Sequence, residues 1–390
     1  MEETINRIHQ QTKVSKLFLP ALTISQMAPG TRALLTGLLL IEIGQTYGTP
    51  IGLTNKIKTF NSAAAILAAL SMGFLSMRIR HKTLLIAGLT LSAICAIGCA
   101  FAPSFSLLII IYSIGGLAGN TIYPMTNSIL GANIPSSERP KVIGWMYAGG
   151  AALYVVGYPI VNYIGDWRNA FLLFSLPITL TALLLSLRGI RSDELASNNL
   201  DIMAGIKGIL ASKSALACLI STGLGIGVWQ IILSLSSSFL RQKIGMSRGI
   251  VVYVIMAMAL LYITGSLIAR KIIPIVGRKN TVVASNILLA LGTILFTQSF
   301  NIVLALGLGL ITCFIAGVRE NATTSLNLEQ LPNLRGPMMS MSAAFGSTGN
   351  VLSLGFSGLL LIKYGWGIMG SVIGIFGVIA GVLVYFYVKE

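Results

Sequence analysis

The sequence predicts an all-α polytopic membrane protein of about twelve transmembrane helices arranged as two pseudo-symmetric six-helix bundles. Three observations carry this: a membrane-like composition, apolar runs that recur at helical span length, and a repeat relating the two halves of the chain. Hydrophobic residues make up 55% of the 390 and charged residues only 10%, against roughly 25% charged in soluble domains. Apolar runs of about twenty residues recur along the whole chain, the length needed to cross a hydrocarbon core of ~30 Å as a helix. Barrel strands would instead alternate over segments of about ten residues.

Reading apolar runs between polar breaks places spans near residues 17–40, 52–77, 83–102, 105–131, 141–164, 169–188, 214–238, 249–273, 280–298, 302–328, 337–361 and 367–387. The formal charge of +16 does not gather on one face, as nucleic-acid binding would require, but sits in short clusters between the runs. Eighteen of the 27 Lys and Arg residues fall on one side of the bilayer and seven on the other, with Arg32 and Arg319 inside spans. The positive-inside bias then puts both termini in the cytoplasm of a cell-membrane protein. Cys95, Cys99, Cys218 and Cys313 all lie inside apolar runs without metal-like spacing, so they read as small core residues, and no metal or other cofactor is expected. The polar first sixteen residues and the lack of a small-residue cleavage pattern make the first run a retained span.

The longest polar stretch, between Arg188 and Lys213, divides the chain into a bundle over 1–188, a cytoplasmic loop over 189–213 and a bundle over 214–390. Gly73 and Gly265 precede basic loops, Ser104 and Ser299 open spans four and ten, Ile134-Pro135 matches Leu331-Pro332, and Trp167 and Trp366 open spans six and twelve. Four matches in order at nearly constant spacing indicate a duplicated six-helix unit, and parallel halves around a central site are a transporter architecture.

Several segments resemble the major facilitator superfamily, in particular its drug and sugar efflux branches, over nearly the whole chain. The loop Gly73-Phe74-Leu75-Ser76-Met77-Arg78-Ile79-Arg80-His81-Lys82 is similar to the family's Gly-x-x-x-Asp-Arg-x-Gly-Arg-Arg pattern, with Met77 in place of the acid. Its second-half counterpart keeps Gly277-Arg278-Lys279. The resemblance implies gating roles for Gly73, Arg78, Lys82, Gly277, Arg278 and Lys279; as positive anchors at a membrane surface the basic residues among them need no such role. Span four, from Tyr112 to Pro124, resembles the family's Arg-x-x-x-Gly-x-Gly pattern with Tyr112 where the arginine stands. Asp166-Trp167-Arg168-Asn169-Ala170-Phe171 resembles the efflux-branch ending Gly-Trp-Arg-x-x-Phe. The resemblance implies a secondary transporter working by alternating access, with a small polar or anionic organic solute, or an amphipathic drug-like compound, and a proton as partners, in a monomer surrounded by lipid. Proton-coupled efflux is the favoured direction, with proton-symport uptake or uniport of an organic anion as the alternative. A membrane enzyme would need clustered His, Cys or acidic residues that the spans lack. A non-transporting membrane sensor is the reading from another class.

In this fold spans one, four, seven and ten line the cavity. Arg319-Glu320-Asn321 lies about eleven residues from the end of span ten, roughly 16 Å deep at 1.5 Å per residue, and Arg32 lies deep in span one after Pro29-Gly30, where a helix can kink. Charges at mid-bilayer cost about 2.5–3.5 kcal/mol on insertion scales, so one retained there faces water, a partner or a ligand. Arg32 and Arg319 are therefore expected to bind a polar or anionic solute while Glu320 accepts a proton, and the alternative for Arg319 and Glu320 is a structural charge pair. Asn120, Tyr123 and Asn127 on span four, Trp229 and Gln230 on span seven, and Asn321 on span ten are further substrate-binding candidates. Glu42 is a second proton carrier by position. Lys56 and Lys58 read as snorkelling cations or as a funnel for an anion.

Overall fold

The computed structural model describes residues 15–134, 139–190, 202–331 and 335–389. Each expected span has its helix. Span one is Phe18–Leu38 continued by Leu40–Tyr47, and spans two to six are Lys56–Arg78, His81–Ala100, Phe105–Asn133, Arg139–Ile164 and Trp167–Gly189. Spans seven to ten are Lys213–Gln242, Arg248–Val276, Arg278–Gln298 and Ile302–Gln330, while eleven and twelve form one run, Arg335–Tyr387, broken at Gly365. Among the described residues 8 helices are long and apolar enough to cross a membrane, the last of them holding both spans eleven and twelve. Large apolar side chains such as Leu67, Ile110, Leu173, Leu267 and Ile311 are exposed along these helices, as a lipid-facing surface requires. The loop expected over 189–213 lies partly outside the described residues, as do Pro135 and Pro332; its described part carries a helix, Ile202–Ala211, whose Ile209 is buried.

Helix ends follow local chemistry. Ser104 and Asn301 cap spans four and ten by accepting from the backbone N–H groups of Leu107 and Val303, which satisfies donors that a helix start leaves orphaned. The cap equivalent to Ser104 is thus Asn301, not Ser299, which ends span nine. The sequence match was two residues out because Ser-Phe recurs by chance beside the true cap. The repeat is also written in the backbone. Gly48 and Gly245 end the first span of each half with positive φ, and Gly165 and Gly365 precede Trp167 and Trp366 with φ of 77° and 76°, a conformation that only glycine adopts without strain.

Glycine also sets how closely the helices pack. In the second half, spans seven and eleven touch backbone to backbone at Gly223 and Gly349, spans eight and ten cross at Gly265 and Gly317, and Gly370, Gly374, Gly377 and Gly381 line the face of span twelve that meets span nine. In the first half, Gly30, Gly149 and Gly157 make room for the side chains of Leu153, Thr23 and Leu34 where spans one and five meet, and Gly88 and Gly98 serve spans three and four. Small residues at helix crossings are the usual device where lipid removes a hydrophobic drive for association.

The compact units do not follow chain order. One takes the chain up to Thr36 and resumes at Ala63, ending before the second half; the other takes Gly37–Ser62 together with the second half. The late part of span one and the start of span two therefore pack with spans seven, eleven and twelve. Span one runs through Pro29 as a helix and breaks at Leu39 (φ −104°, ψ 21°) instead, so the interruption lies where the chain passes from one unit to the other.

Gly349→Leu drives a side chain into the Gly223 carbonyl and is expected to destabilise the purified protein by about 1–3 kcal/mol or prevent folding. Gly307→Leu, where a side chain meets nothing within 4 Å, is expected to leave the melting temperature unchanged. Thermal unfolding followed by size-exclusion monodispersity reads both, and equal effects would mean the crossings are not glycine-limited.

Candidate functional site

Arg32 is buried in the first unit at 3% exposure. Its Nη1 donates to Ser92 Oγ on span three, and its Nη2 donates to the Gly115 carbonyl on span four at 2.7 Å. The guanidinium occupies the space that Gly115 leaves empty, with Cys95 beside it. Tyr112, one turn before Gly115, is hydrogen-bonded to Thr36 at 3.0 Å and donates to the Arg32 carbonyl. The cation that the resemblance expects at position 112 on span four is supplied here from span one. Among the described residues no carboxylate lies within 4 Å of Arg32.

Arg319 repeats the arrangement in the second unit with the helices exchanged. At 1% exposure, its Nε donates to Asn286 Oδ1 on span nine at 2.7 Å and its Nη2 to the Thr222 carbonyl on span seven at 3.2 Å. A side chain at Gly225 would collide with the guanidinium. Asn286 stands 194 residues after Ser92, and Gly225 stands 193 after Arg32. Each half therefore holds one guanidinium against a polar residue at the same place on its third helix. In the first half arginine comes from the first helix and glycine from the fourth; in the second half the roles are reversed. Ser92 and Asn286 were not singled out in the sequence, although two polar residues at the repeat distance inside apolar spans were a usable signal. Arg319 differs in one respect: its Nη1 lies 3.6 Å from Glu320 Oε2, and the Glu320 side chain is 42% exposed. One edge of a buried cation thus reaches a carboxylate at the surface of the unit.

The other candidates fall into two sets. On span four, Asn120, Tyr123 and Asn127 follow one another at helical spacing, and Tyr123 and Asn127 are exposed. Gln26 on span one donates to Thr126 Oγ1 and to Asn127 Oδ1 at 3.2 Å. In the second unit, Trp229 stacks on Tyr262 with centroids 5.0 Å apart, Gln230 donates to Ser234 Oγ, and Asn321 donates to Ser266. Asn321 thereby ties span ten to span eight.

The loop residues act at helix ends. Lys82 donates to the carbonyls of Leu187 and Ile190 and so closes the end of span six. Arg78 is exposed at the last turn of span two, and Gly73 lies within that helix. Gly277 has φ 86° between spans eight and nine, Arg278 pairs with Glu329 at 3.7 Å, and Lys279 lies over the Tyr385 ring. That pair is about 40% exposed on both sides and contributes at most about 1 kcal/mol. In the Trp-Arg-x-x-Phe segment, Trp167 and Phe171 are buried edge to face, while Arg168 donates to the carbonyls of Ala100 and Ala102 at the end of span three.

Glu42 and Lys58 sit in the second unit. Glu42 receives two bonds from Arg241, Nη2 to Oε1 at 2.8 Å and Nη1 to Oε2 at 3.0 Å, and a third contact from Arg248 at 3.5 Å. Lys58 does not snorkel: it is 6% exposed and donates to the Ser234 carbonyl at 3.0 Å.

The equivalence of the two niches predicts a rescue. Arg319→Ala is expected to cost about 1–3 kcal/mol by leaving Asn286 Oδ1 without its donor, and Gly225→Arg alone is expected to overpack the niche. The double variant places a guanidinium at the position matching Arg32 and is expected to melt above either single variant. A double variant no more stable than the worse single one would exclude the equivalence.

The family model of the Major Facilitator Superfamily matches residues 22–318 and 218–390. An uncharacterized MFS-type transporter of Bacillus subtilis (strain 168), YwfA, is 23% identical over 157 residues, which is 40% of this chain and 38% of that protein. Among solved structures, a D-xylose-proton symporter superposes with a TM-score of 0.78 at 15% identity, over 96% of this chain and 98% of its own. A single-residue mutant of the nucleoside transporter NupG gives 0.79 at 14% identity, over 96% and 99%. At such identities the likeness to these structures is one of fold. With the family model matched across both halves, the chain belongs to the major facilitator superfamily and is a multi-pass membrane protein.

Proposed function

We propose that the protein is a proton-coupled secondary transporter of a small anionic organic solute, working by alternating access in the cell membrane as a monomer with both termini in the cytoplasm. The observation that carries this reading is the charge balance of the interior. Two guanidinium groups are buried in the bundles, Arg32 without a carboxylate partner among the described residues and Arg319 with one that is half-exposed. An anion is what these surroundings lack, and such charges bias an interior toward anionic ligands even through one layer of side chains. The exposed face of Asn127 and Tyr123 supports a wetted wall, since amides turned toward lipid are costly. Glu320 links the proton to the solute. While ionised it occupies the outer edge of Arg319; protonated, it releases that edge to a solute carboxylate. Proton and anion then bind together.

A second reading, export in exchange for protons, rests on the match of Asp166–Phe171 to the efflux branches. The two readings are separated by direction: in proteoliposomes an inward proton gradient accumulates an anion bound together with the proton and drives out one that is exchanged for it.

Small carboxylates such as gluconate, benzoate and citrate are expected to raise the melting temperature. Glu320→Gln is expected to abolish proton-driven accumulation while leaving the stabilisation by carboxylates in place. Stabilisation by neutral sugars or nucleosides with none by carboxylates would sink the anion assignment, and full proton-driven uptake in Glu320→Gln would sink the role of that residue.

A further inference from the structure

Residues 37–62 belong by sequence to the first half and by packing to the second. The contacts that hold them are specific. Because span one breaks at Leu39, the Leu38 carbonyl is free to accept from Ser237 Oγ and Arg241 Nη1 of span seven. Gly52 meets Gly358 of span eleven backbone to backbone, and Asn55, fully buried, donates to the Leu354 carbonyl and to Ser357 Oγ at 3.4 Å. Alternating access requires a carrier to part contacts of this kind and remake them in each cycle.

Lys58 is out of keeping with the rest of this packing. Its ammonium is withdrawn from water with one carbonyl acceptor, that of Ser234, and an ammonium has three protons to satisfy. Among the described residues no carboxylate lies within 4 Å of it; Glu42 is already committed to Arg241 and Arg248. Span seven meets the segment with Ser234, Ser237 and Arg241, and span eleven with Ser357; of these only Arg241 is charged, and it is bound to Glu42. Lys56 is the nearest charge on its own helix. The lysine's helical neighbours Asn55 and Thr59 keep buried oxygens, Oδ1 and Oγ1, without a hydrogen-bond partner, as does Asn350 Oδ1 on span eleven. Burying an ammonium with a single acceptor opposes packing, a penalty that is relieved when the amine is neutral or when water reaches it.

We propose that Lys58 is a coupling residue of the transport cycle, taking up a proton when residues 37–62 part from the second bundle and releasing it when they pack back. The balance is one proton exchanged between the amine and water, with no bond to carbon changed. The inference rests on alternating access, and is independent of the role given to Glu320. Its sign follows directly: the packed arrangement binds one proton fewer, so acid favours parting and base favours packing.

The test needs no solute. Thr59→Cys replaces a hydroxyl that has no partner, close to Lys58, and its reaction rate with a methanethiosulfonate reagent in nanodiscs, divided by that of the exposed Gln45→Cys, reports parting. The native cysteines are buried. The ratio is expected to rise several-fold between about pH 8 and about pH 5.5, to be low and flat with pH in Lys58→Met, and to be high at both pH values in Lys58→Arg, whose guanidinium stays charged. A ratio indifferent to pH in the parent, or an unchanged pH response in Lys58→Met, overturns the proposal. If Lys58→Met does not fold, Lys58→Arg decides alone, since a pH response equal to the parent's overturns it too. Because only reagent access is read, these results stand apart from any failure of carboxylate binding or of Glu320→Gln.

Discussion

Everything in this molecule is arranged around the difficulty of keeping positive charge inside a bilayer-spanning bundle that has few carboxylates to spare. A guanidinium can be held there only if hydrogen-bond acceptors reach it and if a neighbouring helix gives way. Gly115 and Gly225 give way, while Ser92, Asn286 and the carbonyls of Gly115 and Thr222 accept. The glycine content of spans four and seven therefore has two physical uses, close approach of backbones and room for an arginine head. The same residues look alike in the sequence whichever use they serve.

The duplicated niche also explains a departure from the family pattern. Tyr112 stands where span four was expected to carry arginine, yet a guanidinium lies one turn away because Arg32 reaches across from span one. In the second half the arginine is on span ten, the counterpart of span four, and it leans on span seven, the counterpart of span one. The niche is shared between two helices, so the arginine can come from either side while the polar residue on the third helix stays in place. A missing motif residue thus shows only that one helix does not supply the charge.

Hydropathy made the helices legible because lipid forces nearly every backbone group of a span into a helix, and length then follows from bilayer thickness. The repeat was legible where it is chemical, at Trp167 and Trp366, and slipped by two residues where a second Ser-Phe lay beside the true cap at Asn301. That Arg32, Arg319 and Glu320 lie within apolar helices was legible from position alone. Their burial and partners were not, because they depend on which helices touch. The pairing of Glu42 with Arg241 joins residues 199 apart, and nothing local to either announces it. Lys58 shows the limit most clearly, since two lysines at a helix start read as snorkelling cations and only tertiary packing distinguishes the buried one.

Lys58 and Glu42 lie on the same segment and ask opposite things of it. Glu42 gains from packing, because its carboxylate meets the fork of Arg241 with both oxygens and a second arginine at 3.5 Å, and a bidentate pair is strong where water is scarce. Lys58 loses by packing, because its ammonium leaves water for a single carbonyl. Two contacts of opposite sign on one short stretch leave the packed and parted arrangements closer in free energy than either contact alone would. A carrier needs that closeness, since a segment held too firmly in one arrangement cannot cycle. The break at Leu39 serves the same end: no continuous helix ties residues 40–47 to the stretch that carries Arg32.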